Sequence, residues 1–262
     1  MTNQFKGHFD CVGTGVPILC IPGFGSGNWI FQGLAERLKD RFCFILPDNR
    51  GMGQSKKAWK PYSLDDLAAD CLNVMDDLGH KKFGVIGLSM GGFIAQLLTL
   101  QAPDRVAALA LLCSTSGGDR FSPLFPSMSE EQVRGIYTLK NRQRVEAALS
   151  PAICPLLSSH YSKVYQAVLE KRSLEQEDPA QVMLQFFAVS QFMKKCLPLN
   201  SITCPTLVLS GDTDLLVPLA NAQMLAEQIP TARLSVISET DHLFFLEKEQ
   251  EVADQLNQFF GG

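Results

Sequence analysis

The sequence predicts an α/β fold: a mainly parallel, twisted sheet with helices on both faces and a helical insertion. Three observations predict it. Short apolar runs alternate with helix-periodic stretches over residues 1–116 and again over 199–262. The run at 83–88 passes straight into a glycine-spaced turn and then a helical pattern. Between 117 and 198 the alternation stops, and only helical patterns remain.

Taken in order, residues 5–12 are expected to form an opening strand and 16–21 a firmer, buried one, which ends in the glycine loop Pro22-Gly23-Phe24-Gly25-Ser26-Gly27. Trp29, Phe31, Leu34 and Leu38 mark a short amphipathic helix. A strand over 42–46 closes on Asp48-Asn49-Arg50-Gly51-Met52-Gly53-Gln54-Ser55, whose glycines and Asx pair fit a tight structural turn. Leu64, Leu67, Ala68, Cys71, Leu72, Met75 and Leu78 recur at helical spacing, with Ser63 as N-cap, Asp65 and Asp66 in the first turn and Gly79 as stop. Residues 106–113 make another apolar run. The insertion shows helical patterns near 130–139, 144–149, 160–174 and 179–192, and the sheet resumes at 206–210 and 234–237, with helices at 220–228 and 249–260. No internal repeat or low-complexity segment is visible.

The composition, 46% apolar and 19% charged, is that of an ordinary globular domain. There is no run of eighteen apolar residues and no apolar signal core in the polar amino-terminal stretch, so a cytoplasmic protein without membrane spans is expected. A net charge of −4 and no basic run beyond two residues argue against nucleic acid as a partner. The eight cysteines lack C-x-x-C spacing and are expected to be buried, reduced thiols. With only four histidines a metal site is not expected, and nothing calls for a cofactor.

The chemistry centres on Gly87-Leu88-Ser89-Met90-Gly91. A serine at the apex of a strand-to-helix turn needs nearly side-chain-free positions two before and two after it, which Gly87 and Gly91 supply. The turn would expose Oγ of Ser89 and set the N–H of Met90 beneath a developing oxyanion; a second donor must come from the loop after an earlier strand, and the N–H of Phe24 is the candidate. A serine hydroxyl is a poor nucleophile until a base takes its proton, and that base needs an acceptor to fix its tautomer. In the order serine, acid, histidine, Asp214 stands 125 positions after Ser89 and His242 a further 28 on, each just after a strand. Asp212 is the rival acid. His8, His80 and His160 do not fit the order.

These stretches, together with Val217-Pro218 and Asp241-His242, resemble the α/β-hydrolase family over nearly the whole chain outside the insertion. The resemblance implies an α/β-hydrolase fold, Ser89 as nucleophile, His242 as base, Asp214 as acid, the N–H groups of Phe24 and Met90 as oxyanion hole, and residues 117–198 as a cap. Aspartate-nucleophile branches, the haloalkane dehalogenases and epoxide hydrolases, are excluded by Ser89. Two positions depart from the common pattern: Pro22 stands where many relatives have histidine, and Asp241 where glycine is common. The pattern is similar to small carboxylesterases, to the esterase acting on pimeloyl-acyl-carrier-protein methyl ester, and to 3-oxoadipate enol-lactonase, so a small ester or lactone, or a carrier-linked ester, is the implied partner. A non-catalytic ligand-binding protein on the same fold is the reading from a different class. Phe24, Phe121, Phe125, Phe186, Phe187 and Phe192 are candidates for an apolar acyl pocket, and the insertion carries a formal charge of +2 against −6 for the remainder.

Overall fold

A computed structural model describes residues 7–122, 128–157, 159–175 and 177–261. Its sheet has seven strands: β1 (Phe9–Val12), β2 (Val16–Ile21), β3 (Phe42–Pro47), β4 (Phe83–Leu88), β5 (Val106–Leu112), β6 (Thr206–Gly211) and β7 (Ala232–Ile237). The spatial order is β1-β3-β2-β4-β5-β6-β7; β1 runs antiparallel to β3, and all other neighbours are parallel.

Why these runs lack polar alternation is plain from their packing. Along β2, Ile18 and Cys20 face one layer while Leu19 and Ile21 face the other, and all four are buried. A strand covered on both faces has no side to show to water, so β4 and β6 are buried at every position. One face is covered by α2 (Leu64–Asp77), α3 (Met90–Gln101) and α8 (Leu219–Gln228), the other by α1 (Gln32–Leu38), the short α9 (Phe244–Glu247) and α10 (Glu249–Gly261). The start of α2 is a closed capping box: Oγ of Ser63 accepts from the Asp66 N–H at 3.2 Å, and the Asp66 carboxylate accepts from the Ser63 N–H at 2.7 Å. Gly79, at φ +75°, ends it.

Between β5 and β6 lie α4 (Glu130–Thr138), α5 (Asn141–Leu149), α6 (Ser162–Ser173) and α7 (Pro179–Phe192). Val145, Leu149, Val168 and Leu169 give α5 and α6 a small core of their own. Ala188 and Phe192 of α7 instead join the core of the sheet. Three expectations shift. The helix expected from 144 begins at Asn141; His160 lies in the turn before α6, its N–H bonded to the Leu157 carbonyl at 2.9 Å; and within the described residues the first strand opens at Phe9. Nor are all the cysteines buried. Cys11, on edge strand β1, and Cys196, in the turn after α7, are exposed, and Cys43 and Cys204 are half-buried. Among the described residues no helix is long and apolar enough to cross a membrane.

Candidate active site

Everything the chemistry would need is gathered at one edge of the sheet, because parallel strands deliver their following loops to the same side. The glycine loop follows β2, Asp48 follows β3, Ser89 follows β4, Cys113 follows β5, Asp214 follows β6 and His242 follows β7.

Ser89 sits at φ 53°, ψ −117°, a conformation that side chains other than glycine seldom adopt. The strain is held from both sides. The Ser89 N–H donates to the Leu112 carbonyl at 2.8 Å, and the Ser89 carbonyl accepts from Gly92 N–H at 2.8 Å and from Oγ of Ser114 at 2.9 Å. A Cβ on Gly87 would lie 2.5 Å from the Gly91 carbonyl oxygen, and one on Gly91 would overlap the carbonyl of Ile21. The spacing of the two glycines is thus a packing requirement of the turn. Met90 is the first residue of α3, so its N–H has no intrahelical acceptor.

The loop after β2 lies against this turn: a Cβ on Gly23 would be 3.4 Å from that of Ser89. Three N–H groups here are engaged: Gly25 with Oε1 of Gln185 at 2.7 Å, Ser26 with the Gly23 carbonyl at 3.4 Å and, just past the loop, Asn28 with Oδ1 of Asp48 at 2.7 Å.

Asp214 and His242 meet. Nδ1 of His242 is 2.8 Å from Oδ2 of Asp214, and both residues are buried. The other carboxylate oxygen, Oδ1, accepts from the N–H groups of Leu216 and Val217 at 2.9 and 2.8 Å, which fixes the acid rigidly. The rival Asp212 is exposed and accepts from the Thr240 N–H at 3.1 Å. Asp241 turns away, accepting from the Cys154 N–H at 2.8 Å and the Leu243 N–H at 2.9 Å. Burial works against a charge on the imidazole, but Asp214, with the neighbouring Cys113 thiol, outweighs it and holds the His242 pKa above the ordinary histidine range. Near Asp241, burial and then that carboxylate push Glu247 up to about 8.

Ser89 and His242 open into one cavity of about 390 Å³, walled by Phe24, Ile136, Leu149, Val168, Phe186 and Val189 among others. The aromatic expectations therefore divide. Phe24 and Phe186 line the cavity; Phe121 and Phe192 belong to the sheet core, Phe192 stacked on Phe93 with ring centroids 4.9 Å apart; Phe187 is partly exposed; Phe125 lies outside the described residues. Sequence reasoning did not single out Cys113, Ser114, Arg172 or Gln185. They stand 24 to 96 positions from Ser89 in chains of no distinctive pattern, so their place here is a product of folding alone.

Residues 16–249 match the profile of the alpha/beta hydrolase fold family. The chain belongs to that family. The α/β-hydrolase sequence is 27% identical over 246 residues, 90% of this chain and 88% of the other, to a protein of Azorhizobium caulinodans assigned as a carbamate hydrolase. It is 26% identical over 245 residues, covering 91% of this chain and 93% of the relative, to the pimeloyl-[acyl-carrier protein] methyl ester esterase of Nitrosomonas europaea. Among solved structures, an N-acyl homoserine lactone degrading enzyme superposes with a TM-score of 0.82 at 28% identity, over 99% of this chain and 98% of that one.

Proposed function

We propose that this α/β-hydrolase cleaves a carboxylic ester, lactone or thioester-like acyl substrate through an acyl-enzyme on Ser89. The observation that carries the reading is the buried 2.8 Å pair of His242 and Asp214 opening onto the same cavity as a serine strained at φ 53°. With an ionised Asp214, Nδ1 of His242 must be the donor, which leaves Nε2 as the acceptor for the serine proton. Oγ of Ser89 attacks the carbonyl carbon and the imidazole takes its proton; the N–H groups of Phe24 and Met90 bind the oxyanion; the imidazolium then protonates the leaving alcohol. Water, deprotonated by the same imidazole, repeats the sequence and frees the acid. Residues 117–198 act as the cap that walls the acyl side. Arg172 lines that wall with its guanidinium already matched by Glu177 at 2.9 Å, and Lys194 also borders the cavity; the aliphatic and aromatic side chains around them favour an apolar acyl group.

The test is direct. A serine-reactive fluorophosphonate should label native protein at Ser89, and Ser89→Ala should lower kcat on short p-nitrophenyl esters by about 10⁴ to 10⁶. Native protein that neither labels nor turns over, while folded by circular dichroism, would favour a ligand-binding protein instead. The panel should include an enol-lactone and a carrier-protein methyl ester at low and high salt. Salt sensitivity confined to the carrier-linked ester would assign recognition to surface charge, which is screened over about 8 Å at physiological salt.

A further inference from the structure

The glycine loop is held at its ends by the core. Asn49 Nδ2 donates to the Pro22 carbonyl at 3.3 Å, and the Asp48 carboxylate, itself bonded to His8 at 3.0 Å and the Gln54 N–H at 2.9 Å, takes the Asn28 N–H. Its middle is held differently. Among the described residues, both backbone groups of Gly25 go to the helical segment: the N–H to Oε1 of Gln185 at 2.7 Å, and the carbonyl to Nη2 of Arg172 at 3.2 Å. Gly25 is at φ +63°, and a Cβ there would stand 2.8 Å from Arg172 Nη2 and 3.3 Å from the Tyr137 hydroxyl, so the backbone itself is pressed onto these side chains.

Neither side chain is a casual contact. Gln185 is wholly buried in the middle of α7, and Arg172, at the end of α6, is 8% exposed and aimed by Glu177, which Arg144 also faces at 3.6 Å. Gln185 leaves its own Nε2 buried without a partner among the described residues. A buried amide with an unmet donor is costly, and a hydrophobic residue would pack there without that cost; what the glutamine supplies is its oxygen, on the Gly25 N–H. One helical turn earlier Gln181 does the same to the next loop, with Oε1 on the Ala58 N–H at 2.8 Å and Nε2 on the Ala58 carbonyl at 3.1 Å. Two glutamines at i and i+4 form one polar seam on α7, and each grips a loop of the sheet edge.

Building on the reading above, in which Phe24 supplies an oxyanion donor, we propose that Arg172 and Gln185 are positioning residues that set this donor from the cap. Gln185 holds the Phe24–Gly25 peptide through its N–H and Arg172 holds the Gly25–Ser26 peptide through its carbonyl, so the two peptides that follow the Phe24 N–H are fixed from the cap; the direction of that N–H depends on the cap being seated, and the oxyanion hole is complete only then. Cap seating and transition-state binding are one event in this enzyme.

Gln185→Met removes the acceptor at nearly constant volume, and Gln185→Glu keeps an acceptor oxygen. Hydrogen exchange over residues 22–28, followed by mass spectrometry, should be at least about tenfold faster in Gln185→Met, with β4 to β6 unchanged. On p-nitrophenyl hexanoate, kcat should fall about 10- to 100-fold, below the 10² to 10³ of losing an oxyanion donor outright, with KM within about threefold. Inhibition by a trifluoromethyl ketone, which mimics the tetrahedral state, should weaken by the same factor as kcat/KM, and Gln185→Glu should recover most of both. Arg172→Met should follow the same pattern; since it strands Glu177 it can also unfold the cap, so Gln185→Met is the deciding variant. Unchanged exchange, a lower melting temperature with kcat intact, or a loss carried by KM alone each overturns the proposal. Absence of Ser89 labelling in the wild type would remove the acyl-enzyme reading but not the exchange result, so the two failures are separable.

Discussion

At the residue scale the governing fact is that His242 is buried beside a carboxylate that Leu216 and Val217 already hold in place. Such a pair favours the imidazolium, yet a base must be neutral to take a proton. The acid limb of kcat/KM should therefore lie above 6.5, and activity should rise with pH through it. Stability should run the other way. A group whose pKa is raised on folding lends stability that is present below its unfolded pKa and lost as pH climbs through the folded one. Burial pushes Glu175 from 4.5 up to about 7 and Glu247 to about 8, and His242 is raised from 6.5, so all three act in the same direction. The melting temperature should be higher near pH 6 than near pH 8.5 while kcat/KM is lower; a melting temperature that rises over this interval would contradict the assignment. Asp214→Asn should cost about 10⁴ in kcat, and Asp212→Asn, at an exposed position, little. The reverse ranking would transfer the acid to Asp212.

At the scale of elements, glycine has opposite value in two places. In the β4–α3 turn, Gly87 and Gly91 leave room for backbone to pass backbone, so Gly87→Ala should destabilise the protein by several kcal/mol and disorder the Ser89 turn. In α4, Gly135 is exposed, has helical neighbours and would give a Cβ nothing to meet within 4 Å. There alanine removes chain entropy from the unfolded state without a clash, and Gly135→Ala should stabilise by about 0.5 to 1 kcal/mol. Thermal melts of the two variants check both signs at once. An unchanged or lowered midpoint for Gly135→Ala would mean that α4 is held by contacts other than its own helix.

At the scale of the molecule, the proposed function makes the cavity between the sheet edge and the helices α4 to α7 the determinant of what is cleaved. Its walls are mainly aliphatic and aromatic, with the Arg172 charge matched by Glu177. Each methylene buried there adds about 0.8 kcal/mol, close to fourfold in kcat/KM, until the space of about 390 Å³ is filled. For p-nitrophenyl esters kcat/KM should rise from acetyl to about hexanoyl and then decline. A flat profile across that series would mean that the acyl chain lies outside these walls.

Much of the fold was legible because its signals are local. Apolar runs covered on both faces, the Ser63 cap with Asp66, and the glycines around Ser89 each act within a few residues, and β4, α2 and α7 lie where the pattern puts them. The choice of Asp214 over Asp212 was open in the sequence, since both follow the same strand; the turn that lends Asp214 two N–H donors and brings it to His242 exists only in the folded chain. The phenylalanines show the same limit. Nothing local distinguishes Phe186, on the cavity, from Phe192, stacked in the core six positions on, because which face of α7 meets the sheet is decided by packing. The sequence by itself determined the alternating architecture, the strained serine and the loops that would accompany it. Tertiary structure alone decided the grip of Arg172 and Gln185 on Gly25, because hydrogen bonds spanning 147 and 160 positions depend on how α6 and α7 come to rest against the loop after β2.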